Sequence, residues 1–309
     1  MADSARIGIV TVTYNSAGVL PEFLSSLSDQ THRNFVLYAV DNASRDASLE
    51  LLSAWNDPRL RVIANTENRG VAGGNNQGIR AAIAEGCSSV LLLNNDTSFG
   101  PSLLAALVDG LNRYAADMIC PKMVYHEEPD RIWAAGGSFR FWLGYSSYHY
   151  GEGMKDRGQF DRGRRVTYVP TCCVLIRSEV FEKVGGMDER YFVYSDDTDF
   201  MYRAMKAGIK LYYLPEEKLL HKVGVLTGGE ESPFSIRYGT RNRIYFQIKH
   251  LGLTATYPWL MIRRCIWWAK RVSGRRDKTW YRAKLDAYRE GIQMGKDYRS
   301  GPQPEVHRL

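Results

Sequence analysis

The sequence contains no apolar run long enough to cross a bilayer, because nowhere do about 18 consecutive residues pass without a charge. The opening residues, Met1 to Arg6, lack the apolar centre of a secretory signal, so a cytoplasmic protein is expected. Cysteine is scarce. Cys87, Cys120, Cys172, Cys173 and Cys265 are odd in number and lack the paired spacing of a zinc site. That excludes a disulfide framework and suits reduced, mostly buried thiols. No repeats or low-complexity segments stand out. A glycine-rich dinucleotide fingerprint is also missing after the first apolar run, where Thr13-Tyr14-Asn15-Ser16-Ala17-Gly18 stands instead. A nicotinamide- or flavin-dependent oxidoreductase is disfavoured on that ground.

What remains is ordinary globular composition over 309 residues, 44% hydrophobic and 24% charged, enough for one large core with an appendage. The net charge of +7 is unevenly spread. From Arg241 onward there are 16 Lys/Arg against 5 Asp/Glu, a surplus of +11, which leaves −4 for the preceding 240 residues. Attraction to phosphate or to an anionic membrane is therefore a property of the C-terminus, and no nucleic-acid partner is expected.

Strand-like and helix-like patterns alternate along the first third. Residues 7–13 form a β-rich run that ends at Tyr14, Asn15 and Ser16, the last a capping candidate. Leu20, Phe23, Leu24 and Leu27 follow at helical spacing. A second run, residues 35–40, stops at Asp41. Further strands are expected at 60–64 and 89–93, with a helix near 74–85 between them, opened by a loop of glycines and asparagines. This alternation predicts an α/β protein with a doubly wound, mostly parallel sheet, binding its ligand outside the carboxyl ends of the strands. Residues 117–176 turn β-rich and aromatic. Within them, residues 152–165 are polar and glycine-rich and read as a mobile loop. A strand at 172–176 leads into a short helix capped by Ser178. The final residues, from about Ser300, read as disordered.

Two acidic stretches organise the chain. Leu91-Leu92-Leu93 halts at Asn94-Asn95-Asp96, and Tyr194-Ser195 is followed by Asp196, Asp197 and Asp199. Three carboxylates packed this closely repel unless a cation joins them or one keeps its proton. Charges complementing a helix N-terminus would explain one or two of them but not all three. A metal-assisted transfer from a phosphate-containing donor explains both stretches.

At this point the sequence resembles the family-2 glycosyltransferases of the GT-A fold, and most closely their bacterial rhamnosyltransferase-like branch. The likeness covers roughly residues 5–250. Its motifs, in the family's order, are Val10-Thr11-Val12-Thr13-Tyr14-Asn15, Val40-Asp41-Asn42-Ala43-Ser44-Arg45-Asp46, the stretch from Glu67 to Gly78, Leu93-Asn94-Asn95-Asp96-Thr97, Asp196-Asp197-Thr198-Asp199, and His221-Lys222-Val223-Gly224.

The resemblance implies roles for these residues. Thr13, Tyr14, Asn15 and Asp41 would meet the nucleotide, with Asp41 on the base or ribose; Asp-Asn-Ala-Ser is equally good turn chemistry. Asn68, Gly70, Gly73 and Asn76 would let backbone amides approach a diphosphate. Asn94, Asn95 and Asp96 occupy the family's Asp-x-Asp position, with Asn94 replacing the first acid, so fewer charges surround the metal. Asp96 and His221 would bind Mg²⁺ or Mn²⁺. Asp197 would be the general base of an inverting transfer, with Asp196 as the second choice, while Asp199 would be structural or touch the acceptor. Arg241, with Tyr238 and Asn242, would lie near the donor diphosphate. Trp133 falls on the acceptor side, where stacking on a sugar competes with core packing.

The activity implied is transfer of a hexose, foremost L-rhamnose from dTDP-rhamnose, to a cell-surface polysaccharide or lipid-linked oligosaccharide. UDP-hexose and UDP-galactofuranose are the alternative donors, and a non-catalytic glycan-binding protein on the same fold is the rival class. The chain would divide into a GT-A domain over residues 1–240, with its nucleotide part at about 5–115 and its acceptor part at about 116–240, and a basic helical region over 241–309. There Trp259, Leu260, Ile262, Ile266, Trp267 and Trp268 mix with Arg263, Arg264, Lys270 and Arg271. Such a helix either lies on the inner face of the cytoplasmic membrane or packs on the domain.

Overall fold

The computed structural model describes residues 5–224 and 232–301. Strands and helices alternate at first: β1 (Ile7–Thr13), α1 (Leu20–Ser28), β2 (Phe35–Asp41), α2 (Ser48–Ala54), β3 (Leu60–Ala64), α3 (Gly70–Ala84) and β4 (Ser89–Leu93). Next come β5 (Thr97–Phe99), α4 (Leu103–Arg113), β6 (Met118–Tyr125), β7 (Ile132–Ala134), β8 (Gly137–Arg140), β9 (Ser146–His149) and β10 (Arg164–Val166). The chain continues through β11 (Cys173–Arg177), α5 (Ser178–Val184), α6 (Asp196–Lys206) and β12 (Leu211–His221). It closes with α7 (Pro233–Leu251), α8 (Leu253–Val272) and α9 (Lys278–Ser300).

The main sheet runs β10-β12-β6-β11-β4-β1-β2-β3, with β5 beside β12 and β7 beside β6. β3, β2, β1 and β4 are parallel neighbours, as are β6 and β12. β11 enters antiparallel between β4 and β6. The fold is thus the expected α/β sheet of GT-A type flanked by helices. β2 and β4 are buried along their whole length, and β1 along nearly all of it, which fits their continuous apolar character. The edge strand β3 is largely exposed and carries Arg61, a charge that discourages further pairing.

α3 lies unusually close to β1. A Cβ on Gly74 would strike Val12 and one on Gly78 would strike Val10, so these glycines serve helix–strand packing. Thr13 and Asp41 are partners at the ends of β1 and β2, and Asn95 just past β4 donates to the Val12 carbonyl at 2.7 Å. Three strand ends therefore open on one edge, the position at which a doubly wound sheet binds ligands.

Several local expectations change. The glycine segment is the start of α3, which begins at Gly70 rather than near residue 74. Ser16 does not cap α1; its hydroxyl accepts from the Tyr14 amide. Ser178 begins α5 without capping it, because its hydroxyl donates to the Cys87 carbonyl at 2.6 Å. The segment 152–165 is anchored: the buried ammonium of Lys122 pairs with Asp156 and Asp161, and Arg164 and Val166 are β10 residues. A division after residue 240 would cut α7, which buries Ile244, Tyr245 and Phe246 and packs along α9. The glycine-rich stretch through Gly229 and the C-terminal tail lie largely outside the described residues.

Candidate active site

The turn after β4 carries Asp96 straight into β5, and β5 pairs antiparallel with the end of β12, His221 opposite Thr97. The Lys222 amide donates to the Asp96 carbonyl at 2.9 Å and locks that register. The pairing brings His221 Nε2 to 3.3 Å from Asp96 Oδ1, without hydrogen-bond geometry. Both side chains are nearly buried, and Asp96 Oδ1 and His221 Nδ1 have no hydrogen-bond partner. Buried polar atoms left like this are costly unless a ligand completes them. Among the described residues no group of three or more His, Cys, Asp or Glu gathers around a common point. A carboxylate and an imidazole suit a divalent cation whose other ligands are diphosphate oxygens and water.

Trp133 packs edge-on against His221, ring centroids 4.3 Å apart, and against His149 at 4.9 Å. His149 stacks on Tyr168 at 5.7 Å, and the Tyr168 hydroxyl donates to Asp197 Oδ2 at 2.7 Å. An unbroken row of side chains thus joins the Asp96–His221 pair to Asp197. Burial pushes the His149 imidazole down from its ordinary value. Neither His149 nor Tyr168 was singled out in the sequence. Tyr168 is one of 19 tyrosines, and it arrives only through a bridge to Gly137.

The three carboxylates open α6 and separate by environment. Asp197 is half-buried, accepting from Tyr168 through Oδ2 and from the Thr198 amide at 2.6 Å through Oδ1. Asp196 is buried, and desolvation together with the neighbouring Asp197 charge pushes it up to about 8. Asp199 has no exposed surface and is gripped by Lys249 at 2.7 Å, His250 at 2.7 Å and Arg203 at 2.8 Å. Although burial opposes it, the Lys249 and Arg203 charges and the His250 hydrogen bond hold Asp199 well below the usual carboxylate range. Asp199 thus ties α6 to α7, in keeping with the structural role among those expected for it, and it presents no surface on which an acceptor could make the alternative contact.

The loop before α6 is bent hard. Phe192, Tyr194 and Ser195 all have φ near +65° or +63°, a region costly for side chains with a Cβ. α7 holds them there. Asn242 Nδ2 lies within hydrogen-bond distance of the carbonyls of Tyr191, Val193 and Tyr194. Arg241 is buried and donates to the Arg190 and Tyr191 carbonyls and to Glu290. Its guanidinium is committed to this loop, which replaces the expected contact with a donor diphosphate.

On the donor side, Tyr14 and Asn94 are exposed at the strand ends. Asn15 takes a left-handed backbone and accepts from the Arg45 amide. Asp41 is fully buried, its oxygens taken by Thr13 at 2.8 Å and by Ser44, so it shapes the turn after β2 instead of facing open space. Asn68 Oδ1 accepts from the Gly70 amide, and Asn76 spans to Met187 and Glu189. Gly73 lies in the first turns of α3 near Arg69 and Glu189.

The model of glycosyl transferase family 2 matches residues 8–185. An N-acetylglucosaminyl-diphospho-decaprenol L-rhamnosyltransferase of Mycobacterium tuberculosis is 27% identical over 262 residues, covering 79% of this chain and 85% of that one. A dTDP-rhamnosyl transferase of Shigella flexneri is 21% identical, covering 72% of this chain and 70% of its own. Among solved structures, GalNAc-T7 with UDP, GalNAc and Mn²⁺ superposes with a TM-score of 0.65 at 14% identity, over 98% of this chain but only 59% of that one. That likeness speaks for the fold. More than half of the sequence lies within the family's model, and the strand-end motifs stand in its order: the chain belongs to glycosyl transferase family 2, with rhamnosyltransferase-like relatives.

Proposed function

We propose that this glycosyltransferase is inverting and metal-assisted, with Asp197 as general base. The observation that carries the reading is the Asp96–His221 pair, which leaves Asp96 Oδ1 and His221 Nδ1 without hydrogen-bond partners and is joined through Trp133, His149 and Tyr168 to Asp197. Asp96 and His221 would hold Mg²⁺ or Mn²⁺, and the cation, when bound, would neutralise charge on the departing nucleoside diphosphate. Tyr14, Asn15, Asn94 and the start of α3 line the strand ends where the donor would lie.

Asp197 takes the proton of an acceptor hydroxyl as its oxygen attacks the anomeric carbon and the nucleoside diphosphate leaves from the opposite face. Tyr168 and Thr198 orient the carboxylate for that step. Asp196, neutral at pH 7, does not compete for the proton. The relatives' names favour dTDP-rhamnose as donor and a lipid-diphosphate-linked sugar or surface polysaccharide as acceptor. Among the described residues no helix is long and apolar enough to cross a membrane, while α8 leaves Tyr257, Ile262, Ile266 and Trp268 exposed. Peripheral attachment to an anionic membrane through this helix belongs to the same reading.

A thermal-shift panel of dTDP-rhamnose, UDP-glucose and UDP-galactofuranose, each with Mg²⁺, Mn²⁺ or EDTA, tests the donor and metal. Stabilisation by the dTDP compound that disappears in EDTA is the expected result. NMR of the product should show an anomer opposite to that of the donor; retention would sink the assigned mechanism.

A further inference from the structure

The cations at the junction of the β8–β9 hairpin with α7, α8 and α9 have an unusual setting. Arg237 and Arg241 are each paired with Glu290 at 3.1 Å. Arg140, Arg243, Arg263 and Lys284 meet no carboxylate among the described residues. Arg263 donates instead to Gln247 Oε1 at 2.8 Å, Lys284 to Thr240 Oγ1 at 2.8 Å, and Arg140 lies 4.3 Å over the Tyr148 ring. Burial and then Arg243 push Arg263 down to about 9. Lys284 is depressed by burial and by Lys270, Arg243, Arg263 and Arg276, while crowding by protein and by Arg140 lowers Arg243, which keeps one side open to solvent. Cations that repel one another without a counter-charge form a seat for a multivalent anion.

The cluster's surroundings narrow the choice of anion. Gln247 bridges the elements, donating to the Gly144 carbonyl of the hairpin loop while accepting from Arg263 of α8. Arg140 faces Ser146 in the hairpin, and the next residue, Ser147, lies 3.2 Å from the hydroxyl of Thr198, beside Asp197. Exposed apolar residues adjoin these cations along the chain: Phe141 and Trp142, the latter 67% exposed, follow Arg140, and Ile262 precedes Arg263 on α8, which also exposes Tyr257 and Ile266. The hairpin thus links Arg140 to the base loop, and exposed apolar side chains flank Arg140 and Arg263, a combination that suits the sugar, phosphate and hydrocarbon of a lipid-linked glycan.

We propose that Arg140, Arg243, Arg263 and Lys284 bind the diphosphate of a lipid-linked acceptor, whose hydrocarbon lies against Phe141, Trp142 and the exposed face of α8. The proposal rests on the transferase reading above. It differs from contact with bilayer headgroups because Arg263 and Lys284 are partly buried between elements, whereas a membrane's phosphate plane would meet cations on the outer face.

The test uses the full chain in EDTA, so that no metal holds diphosphate at the donor end, with farnesyl diphosphate, farnesol and inorganic pyrophosphate as calorimetric probes. Farnesyl diphosphate should bind at least about tenfold more tightly than either of the others, and R243Q/R263Q should lose about tenfold of that affinity. R243K/R263K, which keeps the charge, should stay within about threefold of the native protein, separating charge from misfolding. D197N should bind farnesyl diphosphate normally, so the site can stand even if the catalytic assignment falls. Native-like binding by R243Q/R263Q, or equal binding of farnesol, would overturn the proposal. So would loss of sedimentation with phosphatidylglycerol vesicles while farnesyl diphosphate binding persists, because the cluster would then be a bilayer contact.

Discussion

The side-chain amide of Asn242 stands 2.6 Å from the carbonyl oxygen of Val193, and it also reaches the carbonyls of Tyr191 and Tyr194. One residue of α7 thereby secures the left-handed turn that delivers Asp196 and Asp197. Asn242→Ala leaves these carbonyls without that donor, at a cost of about 1–3 kcal/mol. The released loop should lower kcat by about ten- to a hundredfold while leaving the Kd for donor nucleotide unchanged. Turnover assays paired with nucleotide calorimetry check this. A loss confined to donor affinity would return the α7 segment to the diphosphate.

The fold was largely legible because its signals are local. The apolar runs of β1, β2 and β4 and the polar residues that end them follow from periodicity and turn chemistry. The Asp96–His221 pair was legible only as two separate motifs, since their meeting depends on the β5–β12 pairing across more than a hundred residues of sequence. Arg241 was read as a ligand contact, and Asp199 as structural or an acceptor contact, because a charge in a motif looks alike whether it faces solvent or core; both side chains are buried. Tyr168 and His149 carry no spacing that marks them, and they join the site only through the β8–β9 hairpin and its bridge at Gly137.

Asp196 and Asp197 should respond oppositely to the same substitution. Asp197→Asn removes the base and should cost about 10²–10⁴ in kcat. Asp196→Asn mimics the form already present at pH 7 and should leave kcat within about threefold. Equal losses from both would refute the division of labour.

Asp196 also predicts a stability profile. Its native value of about 8 lies above the unfolded value of 3.8, so the native state keeps a proton that the unfolded chain releases. Native stability therefore falls as pH rises from about 4 to about 8 and levels off above that. Asp196→Asn removes this slope. The variant should gain on the native protein across that window, by on the order of 6 kcal/mol at its upper end. Urea unfolding at pH 5 and pH 8.5 gives the comparison; a gap that does not widen with pH would show Asp196 to be ionised throughout.

The metal pair offers a test apart from turnover. Asp96→Asn and His221→Ala should each weaken Mn²⁺ binding by about tenfold or more, read by calorimetry or paramagnetic relaxation of water. His221→Ala also removes the surface on which Trp133 packs, so a shift in tryptophan fluorescence should accompany it. Undiminished Mn²⁺ affinity in both variants would place the cation elsewhere.

Gly70 couples the donor side to the base loop. Its φ is +72°, and an added Cβ would drive into the backbone carbonyl of Phe192, which also accepts from the Val71 amide. Because that obstacle is backbone, no rotamer change relieves it; either the start of α3 or the left-handed stretch at Phe192 must move. Gly70→Ala should therefore lower Tm by a few degrees, roughly 2–5 °C, and reduce kcat together with donor affinity. A role limited to admitting a diphosphate would raise the donor KM and leave Tm untouched. The combined loss is what distinguishes a glycine that sets the spacing between two catalytic loops from one that only makes room for a ligand.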